Sequence, residues 1–299
     1  MIDFVGKKQW FFLISAVALI VAIISLAVFK LQPGIDFTGG TSMTLHFTPQ
    51  VEQSQLRQEF TNVGHPEAMI QKSGDDFFIR MKEISAQKRE AMMEGLETSL
   101  GSEITVRDYS TIAACIATDT ARNAGIAVII AAAAMLLYIA WAFRRMPKPF
   151  RWGTCAIIAL VHNVLIVVGI FSILGQIAGV EIDAMFITGV LTVVGYSINN
   201  TVVVFDRVRE NMSKGISPDF GVTVNCSLME TVVRSANTSL TTLCVILALL
   251  FFGGATIHYF ILVLLIGLLA GTYSSMCIAG PLLVVWEKKE WGKLLSFAK

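Results

Sequence analysis

Hydrophobic positions in this chain gather into long unbroken runs, and polar positions into one block between the first run and the second. The runs at residues 10–29, 124–143, 152–174, 184–205, 238–253 (extended somewhat at its start) and 259–286 each approach the ~20 residues that a helix needs to cross a bilayer core. Six transmembrane helices are therefore predicted. The last is long enough to tilt, or to bend near Pro281.

Between residues 31 and 122 the period changes. Residues 41–48 alternate, with Met43, Leu45 and Phe47 on one face, as in a half-buried strand. Residues 51–63 put Leu56, Phe60 and Val63 on one side of a helix. Residues 68–72 and 76–82 read as strands joined by the turn Ser73-Gly74-Asp75. A second helix is predicted over 84–100, with Ser85 and Ala86 near its start and Gly101 as its stop, and a closing strand over 103–109. The order βαββαβ is that of the ferredoxin-like split motif. The predicted fold class is thus a polytopic α-helical membrane protein with an α+β ferredoxin-like extracytoplasmic domain between its first and second helices. Residues 1–30 hold the N-terminus and first span, 31–122 the outer domain, 123–287 the remaining spans and 288–299 a tail.

Composition agrees with the pattern. Of 299 residues 55% are hydrophobic and 15% charged, against about 25% charged in soluble domains. The first run is of span length rather than signal length and no small-residue cleavage pattern follows it, so it is expected to be retained. Net charge is +1, which says nothing about nucleic acid, and no nucleic-acid partner is expected; the charges matter by position instead. Lys7 and Lys8, then Arg144, Arg145, Lys148 and Arg151, then Arg207, Arg209 and Lys214, then Lys288, Lys289 and Lys293 fall on one side. Loops 175–183 and 254–258, on the other side, contain no Lys or Arg. By the positive-inside rule both termini are cytoplasmic and residues 31–122 extracytoplasmic. The five cysteines have no metal or redox spacing, and Cys155, Cys244 and Cys277 lie in apolar runs where they act as small hydrophobes. Neither a nucleophile–base set, a metal cluster nor a nucleotide loop is visible. No enzyme, metal or organic cofactor is expected.

The candidate chemistry lies at membrane depth, where polar groups are costly unless another helix or water satisfies them. In the fourth span Thr188, Thr192, Tyr196 and Asn199 recur at helical spacing, and Asn200 lies ~100° further round. Gly189 and Gly195 are expected to let a neighbour approach closely. The span then ends in charge at Asp206, Arg207, Arg209 and Glu210. The third span is interrupted by His162-Asn163. The fifth carries Arg234, Asn237, Thr238, Thr241 and Thr242, with Glu230 one turn earlier, and the sixth carries Gly267 and Gly271 as a packing face, then Ser274 and Ser275. Two readings of Arg234 stay open: it snorkels to the interface and pairs with Glu230, or it faces the bundle interior and responds to passing ions. The amides suit interhelical hydrogen bonds as well as ion ligation, and His162 suits packing as well as a proton relay. At the first membrane exit, Gly34, Asp36, Gly39 and Gly40 permit a tight path from helix into strand. That joint has no basic residue and is read as opening no helix, which argues against a phosphate cradle.

GIDFTGG at 34–40, GYSINNTVVVFDRVREN at 195–211 and NCSLMETVVRSANTSLTTL at 225–243 closely resemble the SecF family. Its members are the smaller partners of SecD in the accessory complex of the bacterial Sec protein-export channel, and the likeness spans nearly the whole chain. It implies an RND-like half-bundle in the bacterial cytoplasmic (inner) membrane, SecD as direct partner, work beside SecYEG with YajC and YidC as further neighbours, and an unfolded exported polypeptide as substrate. It also implies that a proton or sodium gradient moves the outer domains so that the emerging chain does not slip back. Arg234 matches the arginine of the family motif. The family usually places Asp where this chain has Asn200, and often at the position of Asn163. An amide does not take up and release a proton near neutral pH. Asp206 and Glu230 remain, both near the cytoplasmic boundary. SecD then supplies the titrating carboxylate, or the ion is handled differently, or coupling is weakened. The alternatives in other classes are a non-coupled structural subunit that stabilises SecD, and an RND-type small-molecule or lipid transporter.

Overall fold

The computed structural model describes residues 3–144, 148–254 and 257–294. Arg145, residues 255 and 256 of the loop 254–258, and the tail beyond 294 lie outside the described residues. From the N-terminus the chain runs α1 (Lys8–Phe29), α2 (Ile35–Thr38), β1 (Gly40–Thr48), α3 (Gln53–Asn62), β2 (Met69–Ser73), β3 (Asp76–Met81), α4 (Ala86–Leu100) and β4 (Glu103–Ile112). It continues with α5 (Ala114–Ala142), α6 (Pro149–Ala178), α7 (Ala184–Lys214), α8 (Phe220–Phe252), α9 (His258–Ser274), a π-helical turn (Ser275–Ala279), α10 (Gly280–Lys288) and α11 (Trp291–Leu294). Two compact units result: residues 32–126 with 181–184, and the remainder.

In the helical unit, six helices among the described residues are long and apolar enough to cross a membrane: α1, α5, α6, α7, α8 and the stretch His258–Lys288. Several outrun the apolar pattern. α7 continues past residue 205 because its charges pair along the helix: Arg209 with Asp206, Arg207 with Glu210, and Lys214 with Glu210, each at 2.6 Å. α8 begins far ahead of residue 238, where Asp219 caps it by accepting from Gly221 N at 2.6 Å and Val222 N at 3.3 Å. The bend expected near Pro281 takes a specific form. Proline lacks the N–H that continues an α-helical ladder, and the chain accommodates it with the π turn Ser275–Ala279 just before α10.

Small residues set the closest helix approaches. A Cβ on Gly169 would lie 2.3 Å from Ala22 Cβ, so α1 and α6 meet almost backbone to backbone. That seam is stitched by Ser25 Oγ to Gly169 O (3.3 Å) and by Ser172 Oγ to Ser25 O (3.0 Å) and Lys30 O (2.7 Å). The helical core near the start of α6 is built on Trp152, Phe143 and Phe205, with the Phe205 ring centroid 5.2 Å from that of Trp152 and 5.5 Å from that of Phe143. Cys155 and Cys277 are buried in the same core as small apolar groups. α5 is almost uncovered, with Ile129 69% and Leu137 73% exposed.

The other unit, called the outer unit after the location expected from the sequence, carries a four-stranded antiparallel sheet in the order β2-β3-β1-β4. Alternation places Met43, Leu45 and Phe47 of β1 and Phe77, Ile79 and Met81 of β3 in one core with Leu56 and Phe60 of α3 and Met92 and Leu96 of α4. Ser85 caps α4 by accepting from Lys88 N, and Gly101 ends it in the left-handed region at φ 62°. The joint differs from the expectation that it opens no helix. Gly34 O accepts from Phe37 N and Thr38 N at 3.1 Å and from Thr38 Oγ1 at 3.0 Å, which closes the single turn α2; Gly39, at φ 71°, stops it. At Gly40, φ is 125° and a Cβ would lie 2.5 Å from Met81 O, so only glycine fits between α2 and the sheet.

Candidate intramembrane polar site

α6 and α7 carry the buried part of the site. His162, Asn163, Ser197, Asn200 and Thr201 are all buried. Asn163 Nδ2 donates to Ser197 Oγ at 2.6 Å, and Asn163 Oδ1 lies 3.0 Å from His162 Nδ1, which fixes that nitrogen as the donor. Thr201 Oγ1 returns to Ser197 O at 3.2 Å. Helical spacing explains the grouping, because Ser197 and Thr201 are one turn apart on the face of α7 that meets α6. Asn200 is 4% exposed, yet its Nδ2 has no hydrogen-bond acceptor among the described residues; the same holds for His162 Nε2 and Ser235 Oγ as groups without partners.

Glycines let α9 close over α7. A Cβ on Gly267 would lie 2.1 Å from Val193 Cγ2, one on Gly271 3.4 Å from Ser197 Cβ, and one on Gly189 2.8 Å from Val263 Cγ1. Gly195 is different: open space surrounds it, so it is not a point of close approach in this chain. Beside this seam Tyr196 OH, Ser239 Oγ and Thr272 Oγ1 form a chain at 3.2 and 2.7 Å.

The remaining candidates are on open faces. Thr188, Thr192 and Asn199 of α7 are exposed, and so are Arg234, Asn237, Thr238 and Thr241 of α8. The hydroxyls there turn back onto their own helices: Thr192 to Thr188 O at 2.8 Å, Thr238 to Arg234 O at 2.6 Å and Thr241 to Thr238 O at 3.0 Å. The pairing of Arg234 with Glu230 that spacing alone allows does not form. Glu230 instead accepts from Arg207 Nε at 2.6 Å and Asn211 Nδ2 at 2.7 Å, and Asn211 Nδ2 also donates to Ser227 Oγ at 2.9 Å. Asp206 pairs with Arg209. The structure therefore brings together His162, Asn163 and Ser197, leaves Asn200 buried nearby, and sets Asn199 and Arg234 apart from them on exposed surface.

Sequence reasoning missed Tyr273, whose hydroxyl donates to Phe11 O at 2.8 Å and accepts from Ser15 Oγ at 3.3 Å, and whose ring lies 6.4 Å from that of His162. A tyrosine next to Ser274 and Ser275 in an apolar run was the available signal. It also missed Asn211, fully buried near the C-terminal end of α7 behind a run of charges. Among the described residues no group of three or more His, Cys, Asp or Glu is arranged to hold a metal ion. At the joint, Asp36 Oδ2 accepts from Ala184 N at 2.8 Å, Gly34 O closes the turn α2 and Gly39 stops it, and Gly40 makes the close approach to Met81 O described above.

Two family models match. That of the protein export membrane protein SecD/SecF, C-terminal, covers residues 92–289, which include His162, Asn163, Asn199, Asn200 and Arg234; that of the SecD/SecF GG motif covers residues 24–51, which include the joint. A protein translocase subunit SecF of Thermobaculum terrenum is 41% identical over 303 residues, covering 97% of this chain and 96% of that protein. A protein translocase subunit SecDF of Bacillus subtilis is 34% identical, covering 97% of this chain and 39% of that protein. The crystal structure of SecDF, a translocon-associated membrane protein from Thermus thermophilus, superposes with a TM-score of 0.85 at 34% identity, over 96% of this chain and 39% of that one.

Proposed function

This chain belongs to the SecD/SecF family of protein export membrane proteins, and we propose that it is a gradient-coupled subunit of a Sec protein-export complex. It sits in the bacterial inner membrane with both termini cytoplasmic. It pairs with SecD beside SecYEG, with YajC and YidC as further neighbours. A proton or sodium gradient moves its outer unit so that an unfolded, exported chain is held against backsliding. It needs no catalytic residues, metal or organic cofactor. The strand order β2-β3-β1-β4 with α3 and α4 supports reading the outer unit as ferredoxin-like, and the six helices support an RND-like half-bundle.

The observation that carries the proposal is the pair of polar faces on α7 and α8. Thr188, Thr192 and Asn199 on one, and Arg234, Asn237, Thr238 and Thr241 on the other, are exposed in the single chain. Among the described residues Arg234 has no side-chain partner. An arginine facing hydrocarbon costs about 2.5–3.5 kcal/mol on insertion scales, and an arginine enclosed by helices requires a negative partner. SecD meets both demands by covering these faces and supplying the titrating carboxylate that Asn163 and Asn200 do not. SecDF relatives, in which the match to this chain occupies 39% of the length, support such a neighbour. A transmembrane potential supplies about 2.3 kcal/mol per charge per 100 mV, enough over a few charges to bias a domain between two positions.

A second reading, a non-coupled subunit that stabilises SecD, draws on the same two asparagines. Export into membrane vesicles, started with ATP and then followed with and without a proton or sodium uncoupler, separates the two. The coupled reading expects the later phase to collapse with the uncoupler, and Arg234→Ala to abolish that sensitivity. Equal export in all arms would leave only the stabilising role.

A further inference from the structure

The loop between α6 and α7 does not cluster with the helices that it joins. Residues 181–184 group with the outer unit, and the contacts that hold them there are specific. Ile182 N donates to Gln32 O and Gly34 N to Ile182 O, both at 2.8 Å, so that Pro33 and Ile182 form a short parallel bridge. A Cβ on Gly34 would lie 2.9 Å from Ile182 O, so the close approach requires glycine. Asp36 caps the first amide of α7 at Ala184. One side chain ties these strands of contact together. Arg80, on β3 of the outer sheet, donates through Nη1 to Glu181 Oε1 at 2.5 Å and to Pro33 O at 2.9 Å, and through Nη2 to Thr38 Oγ1.

Arg80 and Glu181 are 18% and 13% exposed at their side chains. Burial raises the Glu181 carboxyl above the usual carboxylate range, while the hydrogen bond and charge of Arg80 pull it back down and the neighbouring Asp183 pushes it up. A pair so placed is costly to break from one side, because the remaining charge is left desolvated. A planar guanidinium is the group that fits here, since one fork reaches three acceptors on two chain segments, which a lysine ammonium cannot do in the same geometry.

We propose that Arg80 and Glu181 are positioning residues of a latch that fastens the start of α7, the helix carrying Asn199 and Asn200, to the outer sheet and its glycine joint. Through this latch a displacement of α7 is delivered to the outer unit as a push on β3, and a load on the outer unit is delivered back to α7. The inference rests on the gradient-coupled reading and adds its mechanical connection.

The test uses the SecD-containing complex in lipid nanodiscs and in export vesicles, comparing wild type with Arg80→Ala, Glu181→Ala, the double variant and Arg80→Lys. Hydrogen exchange over residues 181–186 is expected to quicken by about fivefold or more in both single variants, the lower end of usual site-to-site couplings, with β1 protection unchanged. Uncoupler-sensitive export is expected to fall by a similar factor, and the double variant to be no worse than the worse single one. Arg80→Lys, which keeps the charge and so guards against simple misfolding, is expected to fall between. Unchanged exchange would show that the contact fastens nothing and would overturn the latch. Quickened exchange with normal gradient-driven export would reduce it to local structure and overturn its part in coupling, as would additive losses in the double variant. Wild-type export that ignores the uncoupler would instead sink the coupled reading itself.

Discussion

Asn163 is held on two sides, by Ser197 Oγ at 2.6 Å and His162 Nδ1 at 3.0 Å, whereas the Nδ2 of Asn200 is buried without an acceptor among the described residues. Removing each therefore has different consequences. Asn163→Ala is expected to destabilise the detergent-solubilised chain by about 0.6–1.7 kcal/mol, between the average and the largest value for interhelical hydrogen bonds in membranes. Asn200→Ala is expected to cost less in the isolated chain and to act on gradient-driven export instead. Unfolding in graded denaturing detergent, set beside the vesicle assay, compares the two. A third residue test lies outside the membrane. With φ at 125° and Met81 O in the way of a Cβ, Gly40→Ala is expected to cost about 1–3 kcal/mol of backbone strain or more. Protease resistance of the outer unit in intact membranes reads that loss.

At the scale of helices and strands, the closest packing is where a side chain is least tolerable. Gly169→Val would force α1 from α6, since even a Cβ there lies 2.3 Å from Ala22 Cβ; overpacking of this kind costs about 1–3 kcal/mol. Gly195→Ala, with open space around it, is expected to stay within about 0.5 kcal/mol of wild type. Thermal aggregation of the purified chain distinguishes them. The same contrast marks what the sequence could convey. The strands of the outer unit were legible because Met43, Leu45, Phe47, Phe77 and Ile79 alternate cleanly. Helix ends were not, because hydropathy measures the greasy part of a helix and not its hydrogen-bonded length. α7 runs on through Asp206–Lys214 by pairing its charges, and α8 starts at an Asp219 cap well outside the apolar run. The turn α2 was hidden by its glycine flanks, and Pro281 signalled a bend without saying that a π turn would make it. The Arg80–Glu181 pair spans 101 residues of sequence, and neither residue carries a local signal that names the other.

For the molecule as a whole, the family was readable from three motifs, and helical spacing marked out polar stripes on the long helices, though not Tyr273 or Asn211. Which of the striped residues face inward was not readable. His162, Asn163, Ser197 and Asn200 are enclosed by this chain, while Asn199 and Arg234 are on faces that it leaves open. Helical spacing assigns residues to a face, but only packing decides whether that face meets a neighbour in the same chain or in another. The open faces of α7 and α8 make a direct demand on a SecD partner, and that demand is measurable. With cysteine placed at Arg234 or Asn199 and at successive positions along the SecD helices, oxidative cross-linking in native membranes maps what covers them. Strong cross-links at both positions to a SecD helix that bears a carboxylate at the same depth, weakened when the gradient is collapsed, are the expected result. Labelling of both cysteines by a lipid-phase reagent, with no cross-link to SecD, would contradict it.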